Sequence, residues 1–361
     1  MTARIAATRL RLLGSGASLP GEPIGSAALL ARIAANFGIE TRLGRALAQR
    51  LGVETRHHSR NWLTSLETPR PGDRNPELAA AAVGSALVQA GLDAGRLQYL
   101  IGHTTTPARL LPPNSAEVAS LLGIAAPYAE LRQACTGFAN ALQLAAGLLS
   151  GPTAAPIAIV GSEVGSVFCD PAVLADEPGQ WVNLMQMGDG AGAVVIGPDD
   201  GTAGAAIENP FFGHIGLGRE PGFALEDGGS DWPALRPGHR NAQFRHAHET
   251  VLREGLSLFR AGLAAAARAG VRLDDMRYLL PHQANGLVGD WLAKALDLPP
   301  ERFVGNGAAV GNLGSASIWV ALHALRSSGQ LAAGDRVLVL GAEATQYLYG
   351  GFIYHHGAHG A

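Results

Sequence analysis

The sequence predicts an α/β protein made of two βα halves, and three observations carry that prediction. Short apolar runs bounded by Gly or Pro alternate with alanine-rich amphipathic stretches. The order of these runs in the first half recurs in the second. Charged residues make up only 16% of the 361-residue chain, against about a quarter in an average domain. Much of the surface is therefore expected to be covered, by helices on both faces of a sheet or by another subunit.

In the first half, "PELAAAAVGSALVQAGL" (76–92) reads as a helix and "LQYLIGHTTT" (97–106) as a strand. "NSAEVASLLGI" (114–124) reads as a helix, with Asn114 as N-cap and Glu117 completing a capping-box-like pair. "AELRQACTGFANALQLAAGLL" (129–149) reads as a strand running into a turn and then a helix. "APIAIVGSE" (155–163) and "AGAVVIG" (191–197) are strands. The turn-rich "PDDGTAGA" (198–205) marks the join, which divides the chain into 1–199 and 200–361. The second half opens on an irregular stretch, 209–243, of the length that often carries function. Then follow a helix over 249–270, a strand and its exit in "MRYLLPHQ", and a helix in "GLVGDWLAKALDL". A further helix in "SASIWVALHALRSSG" and a strand in "DRVLVLGAEA" complete the plan.

Composition removes several function classes. The formal net charge is −3 with no basic run, which argues against nucleic acid as a partner. Lys294 is the single lysine. No apolar run reaches the roughly 18–20 residues that span a bilayer. "MTARIAATRLRLLGSG" has arginines among its apolar residues, unlike a signal peptide. Two cysteines do not make a disulfide framework. A cytoplasmic protein with free thiols is expected.

Three residues stand out chemically. Cys135 is placed at the start of a helix, where unpaired N–H groups and the helix dipole favour thiolate and could hold an oxyanion. The alternative is a small buried core thiol. His282 ends a strand, where open α/β sheets place ligands; a structural imidazole is the alternative. Asn312, in "GNLGSAS", holds in the second half the place Cys135 holds in the first, and an N-cap is its alternative. Together, a thiol, an imidazole and a carboxamide at loop–helix junctions form a set suited to acyl-thioester chemistry.

In order along nearly the whole chain, these motifs resemble the β-ketoacyl-acyl carrier protein synthase III type of thiolase-fold condensing enzyme. "LGVETRHHS" (51–59) is similar to the family's "TGIRERR" segment. "QACTGFANAL" is similar to its nucleophile motif, "MGDGAGAVV" to "FGDGAGA", "LLPHQAN" to the histidine motif and "GNLGSAS" to the asparagine motif. The resemblance implies a thiolase-like fold with two pseudo-symmetric halves in five α-β-α-β-α layers. It implies Cys135 as nucleophile and His282 and Asn312 as holders of a malonyl thioester during decarboxylation. It further implies an oxyanion hole from the backbone N–H groups of Cys135 and Thr345. A homodimer is expected, with acyl carrier protein or acyl-coenzyme A as acyl donor and no resident cofactor or metal.

The sequence departs from the family at three places. Ala344, Thr345 and Gln346 stand where the family has a glycine triplet, so the backbone freedom of glycine is lost there. Ala46 stands at the tryptophan of coenzyme A-primed members, although Arg50 matches a family arginine. Leu287 stands near a basic residue that helps dock carrier proteins. Leu111, Pro112 and Phe138 are expected to line the acyl tunnel, Leu111 by reaching across a dimer. The 209–243 stretch, with Arg219 and Trp232, is expected to act as an insertion or lid. These departures point to a specialised lipid or polyketide pathway. Two alternatives stay open: acyl transfer to another nucleophile without decarboxylation, and a non-catalytic partner of a heterodimeric synthase.

Other motifs read as structural. "GSEVG" (161–165) has its serine one place early for a nucleophile elbow, and "GDGAGA" leads into a strand, unlike a dinucleotide loop. Cys169 is read as non-catalytic, His57 and His58 as facing solvent or the entrance, and "HHGAH" (355–359) as a solvated tail.

Overall fold

The computed structural model describes residues 3–65, 67–226 and 243–357. Its core is a ten-stranded mixed sheet. Nine strands lie in the order Tyr278–Pro281, Arg336–Glu343, Leu348–His355, Ala206–His214, Arg9–Ser18, Gly190–Pro198, Ile157–Glu163, Tyr99–His103 and Tyr128–Leu131. Arg4–Ile5 adds to Ala206–His214. The parallel pairs lie toward the two ends of this order, Tyr278–Pro281 with Arg336–Glu343 and Tyr99–His103 with both of its neighbours.

The seam between the halves is narrow. Arg9–Ser18 meets Ala206–His214 through Arg9↔Glu208, Leu10↔Ile207 and Arg11↔Ala206 alone. On either side of it the chain follows one plan of strand, helix and parallel pairing. Even the short parallel bridge Leu279↔Phe303 stands in the second half where Tyr128–Leu131 stands in the first.

The hydrophobic clusters sort these elements into layers. Helices Gly137–Leu148 and Ser317–Ser327 lie in the middle. Phe138, Leu142, Trp319 and Leu322 pack with Ile101, Ile159 and Val194 of one half-sheet and with Val337, Val339 and Phe352 of the other. Helices Asn75–Ala90 and Asn114–Leu122 cover the outer face of the first half-sheet through Leu78, Val83 and Val118. Helices His248–Arg268 and Val288–Leu296 cover the second through Leu258, Phe259 and Leu292. Strand Arg336–Glu343 shows why its interior, Val337–Ala342, is apolar. Val337 and Val339 face the central helices, Leu338 and Leu340 the outer ones, as period-two alternation requires of a strand buried on both faces. This is the layered α/β arrangement expected.

Some expectations are corrected. "RLRLLGSGAS" (9–18), broken by arginines, is a full strand at the seam. Its arginines reach the strand end, where Arg9 pairs with Asp199 and Arg11 with Asp200. Its glycines admit helix Asn75–Ala90: a Cβ on Gly14 would lie 2.1 Å from the Ala86 carbonyl oxygen. Asn114 is the first residue of its helix and not the N-cap, which is Pro113. Its Nδ2 donates to Asn75 Oδ1 at 2.7 Å, and Glu117 instead pairs with Arg74 and Arg109. The stretch 209–243 is not irregular throughout. Ala206–His214 runs into it, and Phe223–Glu226 pairs antiparallel with Gln243–His246. Trp232 lies outside the described residues.

Candidate active site

Cys135, His282 and Asn312 line one cavity of about 530 Å³. Each sits just beyond a strand or helix that fixes its backbone. Cys135 lies in the turn between strand Tyr128–Leu131 and helix Gly137–Leu148, with Thr136 as N-cap. It is therefore outside the helix, not inside its first turn. His282 follows Tyr278–Pro281 and donates its backbone N–H to the Leu340 carbonyl at 2.7 Å. Asn312 precedes the short turn Gly314–Ala316 that leads into helix Ser317–Ser327. Its N–H donates to the Gln186 carbonyl at 2.8 Å, and its own carbonyl accepts from Gly188 at 3.0 Å.

The thiol does not meet the expectation of a thiolate at rest. Part of Cys135 is open to the cavity, so a ligand can reach it although bulk water hydrates it poorly. Burial, and then the carboxylates of Glu343 and Glu163, push its pKa well up; only its own backbone N–H works the other way. Burial is the largest of these influences, followed by Glu343.

His282 is buried, and burial lowers its pKa to about 4. The ring is thus neutral near pH 7, with one nitrogen able to donate. Nδ1 is buried without a partner among the described residues. The Asn312 side chain is oriented by an Asx turn: its Oδ1 accepts from Gly314 N–H at 2.9 Å, which leaves the Nδ2 hydrogens for the cavity. Thr345 also lines the cavity, and its backbone N–H donates no hydrogen bond among the described residues.

Two cavity residues escaped the sequence reading. Glu163 and Glu343 are both buried carboxylates on the cavity wall. Glu163 accepts from Thr105 N–H at 3.0 Å, Thr106 Oγ1 at 2.5 Å and Ser315 Oγ at 2.5 Å. Glu343 accepts from Thr136 N–H at 2.8 Å, Thr136 Oγ1 at 2.7 Å, Ala134 N–H at 3.4 Å and the Thr345 hydroxyl. A signal was present. "IAIVGSE" (157–163) and "VLVLGAE" (337–343) are the same pattern in the two halves, each ending a fully apolar strand on an acid. An acid there is costly to bury and needs a set of donors.

The remaining expected residues divide. Arg50 and Leu287 line the cavity, on its outer part with Trp291 and Leu252. Phe223, Phe244 and His246 of the Phe223–Glu226/Gln243–His246 pair form one wall, so part of the 209–243 stretch does reach the site. Phe138 does not. It is fully buried in the central layer, 5.8 Å from the ring centroids of both Trp319 and Phe352. Helix Gly137–Leu148 turns that side chain toward the core and away from Cys135. Leu111 is 82% exposed and absent from its own chain's cavity. Ala46 borders a separate groove with Phe37 and Trp181. Arg219 bonds Glu254 at 2.9 Å.

Other motifs are structural. His58 is not solvent-facing: it is buried, donates to the Met187 carbonyl at 3.2 Å and accepts from Trp62 Nε1 at 2.9 Å. Cys169 is buried outside the cavity, its pKa pushed up to about 12. Asp189 of "GDGAGA" accepts from Ser59 N–H at 2.7 Å and Ser166 N–H at 2.9 Å, and a strand follows it. His355 pairs with Glu208 at 3.0 Å. The described residues contain no group of three or more His, Cys, Asp or Glu placed to hold a metal ion, and no helix long and apolar enough to cross a membrane.

Known proteins resemble this chain in sequence and fold. Residues 129–211 match the 3-oxoacyl-[acyl-carrier-protein] synthase III family, and 266–354 match its C-terminal region. A β-ketoacyl-[acyl-carrier-protein] synthase III of Streptomyces coelicolor is 34% identical over 284 residues, covering 78% of this chain and 79% of its own. A 3-oxopimeloyl-[acyl-carrier-protein] synthase of Rhodothermus marinus is 33% identical over 347 residues, covering 92% and 90%. Among solved structures, AbyA1, a tetronic acid condensing enzyme, superposes with a TM-score of 0.82 at 28% identity, covering 96% and 99% of the two chains. The 3-oxoacyl-(acyl carrier protein) synthase III of Pseudomonas aeruginosa gives 0.77 at 27%, covering 96% and 98%. With its fold, its motifs and these relatives in agreement, the chain belongs to the β-ketoacyl-[acyl-carrier-protein] synthase III family of condensing acyltransferases.

Proposed function

We propose that the chain builds a β-ketoacyl product in two half-reactions on Cys135. In the first, the thiol sulfur attacks an acyl thioester, the carrier thiol leaves with the proton, and acyl-Cys135 remains. In the second, a malonyl-type thioester enters and loses carbon dioxide. The enolate that forms is held by the neutral His282 ring and the Asn312 amide, and its carbon attacks the acyl carbon, releasing Cys135. The backbone N–H groups of Cys135 and Thr345 serve the oxyanion. No step requires a resident cofactor.

One observation carries this reading. The cavity that holds the thiol also holds a neutral imidazole and a carboxamide whose oxygen is already taken, so its N–H₂ is the end available to an enolate. The acyl donor and the malonyl unit come on acyl carrier protein or coenzyme A, as in the relatives named for carrier-protein substrates. The similarity to a tetronic acid condensing enzyme and to a priming β-ketosynthase of a polyketide pathway supports a specialised pathway. A homodimer, working in the cytoplasm, suits the edge strand Tyr128–Leu131, since Leu110, Leu111, Leu121 and Tyr128 are exposed apolar residues of that half. Leu111 would then act on the partner's cavity. The chain is assigned residues 1–199 as the nucleophile half and 200–361 as the half bearing His282 and Asn312.

The test is to incubate the protein with a panel of acyl thioesters and weigh the Cys135 peptide. An acyl adduct is expected, and malonyl thioester should then discharge it as a β-ketoacyl product. No adduct with any donor refutes the enzyme reading. An adduct untouched by malonyl carriers refutes condensation and favours simple transfer.

A further inference from the structure

We propose that Glu343 is a positioning residue: its carboxylate clasps the nucleophile turn Ala134–Thr136 to the loop 344–346 and so holds the two oxyanion donors in one geometry. This rests on the functional reading above, in which Cys135 and Thr345 supply those donors.

The geometry is specific. One oxygen of Glu343 takes the backbone N–H and the hydroxyl of Thr136; the other takes Ala134 N–H and the Thr345 hydroxyl. Ala134 and Thr136 flank Cys135, so its own N–H is left between two anchored neighbours. Those anchors come from 209 and 207 residues away in sequence, across the join of the halves. Thr345 is held to the same carboxylate through its side chain. Among the described residues the loop is otherwise anchored only at its ends, since the glycine-free Ala344–Gln346 turn runs from Glu343 to the buried Tyr347, whose φ is 53° and whose carbonyl accepts from Ile215 N–H at 2.9 Å. Gly222 N–H to the Ala344 carbonyl, at 3.1 Å, supports its first residue only. Hydrogen bonds to a charged acceptor are among the stronger ones in proteins, so the carboxylate can select one loop position.

The arrangement has a cost that argues against mere packing. A carboxylate beside a nucleophilic thiol opposes its ionisation, and Glu343 is the larger of the two carboxylate influences on Cys135. Besides Cys135, the charged and titratable groups lining the cavity are Glu163, Glu343 and His282, with Arg50, His246, Glu254 and Tyr347 also on its wall. A residue that only filled space would do so better as an apolar side chain. Holding both donors in register is the gain that offsets a less acidic thiol.

The two effects move in opposite directions, which makes the clasp testable. Glu343→Gln keeps the shape and removes the charge. Alkylation of Cys135 by iodoacetamide near neutral pH should become about tenfold faster, because one like charge is gone. Product formation should become at least about tenfold slower with KM unchanged, because an oxyanion donor is misplaced. Thr345→Val should slow product formation without speeding alkylation, and Thr345→Ser should restore it. Product formation within about twofold of wild type in both Glu343→Gln and Thr345→Val overturns the clasp. If Glu343→Gln fails to fold, the Val and Ser variants at 345 decide alone. A wild-type chain that forms no acyl adduct overturns the functional reading instead. In that event unchanged alkylation in Glu343→Gln overturns the clasp as well.

Discussion

Glu163 and Glu343 end equivalent strands in the two halves, yet their hydrogen bonds reach different loops of the cavity. Each reaches across the join. Glu163 of the first half accepts from Ser315, three residues after Asn312. Glu343 of the second half accepts from both neighbours of Cys135. Glu163 is also held by two threonines of its own half, Thr105 and Thr106, and burial raises its pKa. Glu343 has backbone donors from the opposite half and one hydroxyl from its own. The difference teaches how a duplicated fold makes one site. The Cys135 turn is tied to the second half through Glu343, and Asn312 to the first through Gln186 and Gly188, so the cavity lies where the halves meet. Of two equivalent strand ends, one acid reaches the turn around Cys135 and the other the turn after Asn312.

The largest expected effect tests the nucleophile side. Cys135→Ala should abolish the acyl adduct and cut product formation by at least about 10³-fold. Retained product would break the comparison, because the first half would then hold no reacting group. Next comes the acceptor side. Asn312→Ala should leave the acyl-Cys135 adduct intact and slow its discharge by malonyl thioester by about 10²–10³-fold. Loss of the adduct as well would show that the two sides are not separable.

Glu163→Gln should have a smaller effect. Alkylation of Cys135 should change by about threefold or less, since Glu163 is the lesser influence on the thiol and burial already favours its neutral form. Discharge of the adduct should slow more than its formation. The smallest effect concerns pH. Burial lowers the His282 pKa to about 4, so the donating neutral ring persists as pH falls and is lost only as pH passes through that value. The discharge rate should therefore show no inflection near the ordinary histidine pKa of about 6.5. A clear inflection there would show that His282 titrates in the open cavity.

Much of the chain was legible before any coordinates. The equivalent strands Ile157–Glu163 and Arg336–Glu343 announce themselves by the apolar runs Ile157–Gly161 and Val337–Ala342, since a strand covered on both faces has no polar side to show. Helix Asn75–Ala90 was legible because its own stretch is alanine-rich and amphipathic; that Gly14 and Gly16 admit it is decided by packing. Cys135, His282 and Asn312 were found from their motifs. Strand Arg9–Ser18 was missed because its arginines break the apolar run locally, and their partners Asp199 and Asp200 are about 190 residues away. Phe138 was misplaced because a motif fixes a residue's position along a helix and leaves its direction to packing.

By itself, then, the sequence indicated the α/β class and the repeated order of elements, which follow from periodicity and local spacing, and its resemblance to a known family singled out Cys135, His282 and Asn312. Only the tertiary structure decided the charge state around Cys135 and the partners of Glu163 and Glu343. It alone decided that Phe138 belongs to the core and that Phe244 and His246 wall the cavity. The reason is physical. Burial and hydrogen bonding in this site join residues about 150 to 210 positions apart, and the electrostatics of a buried thiol depend on which distant side chains fold against it.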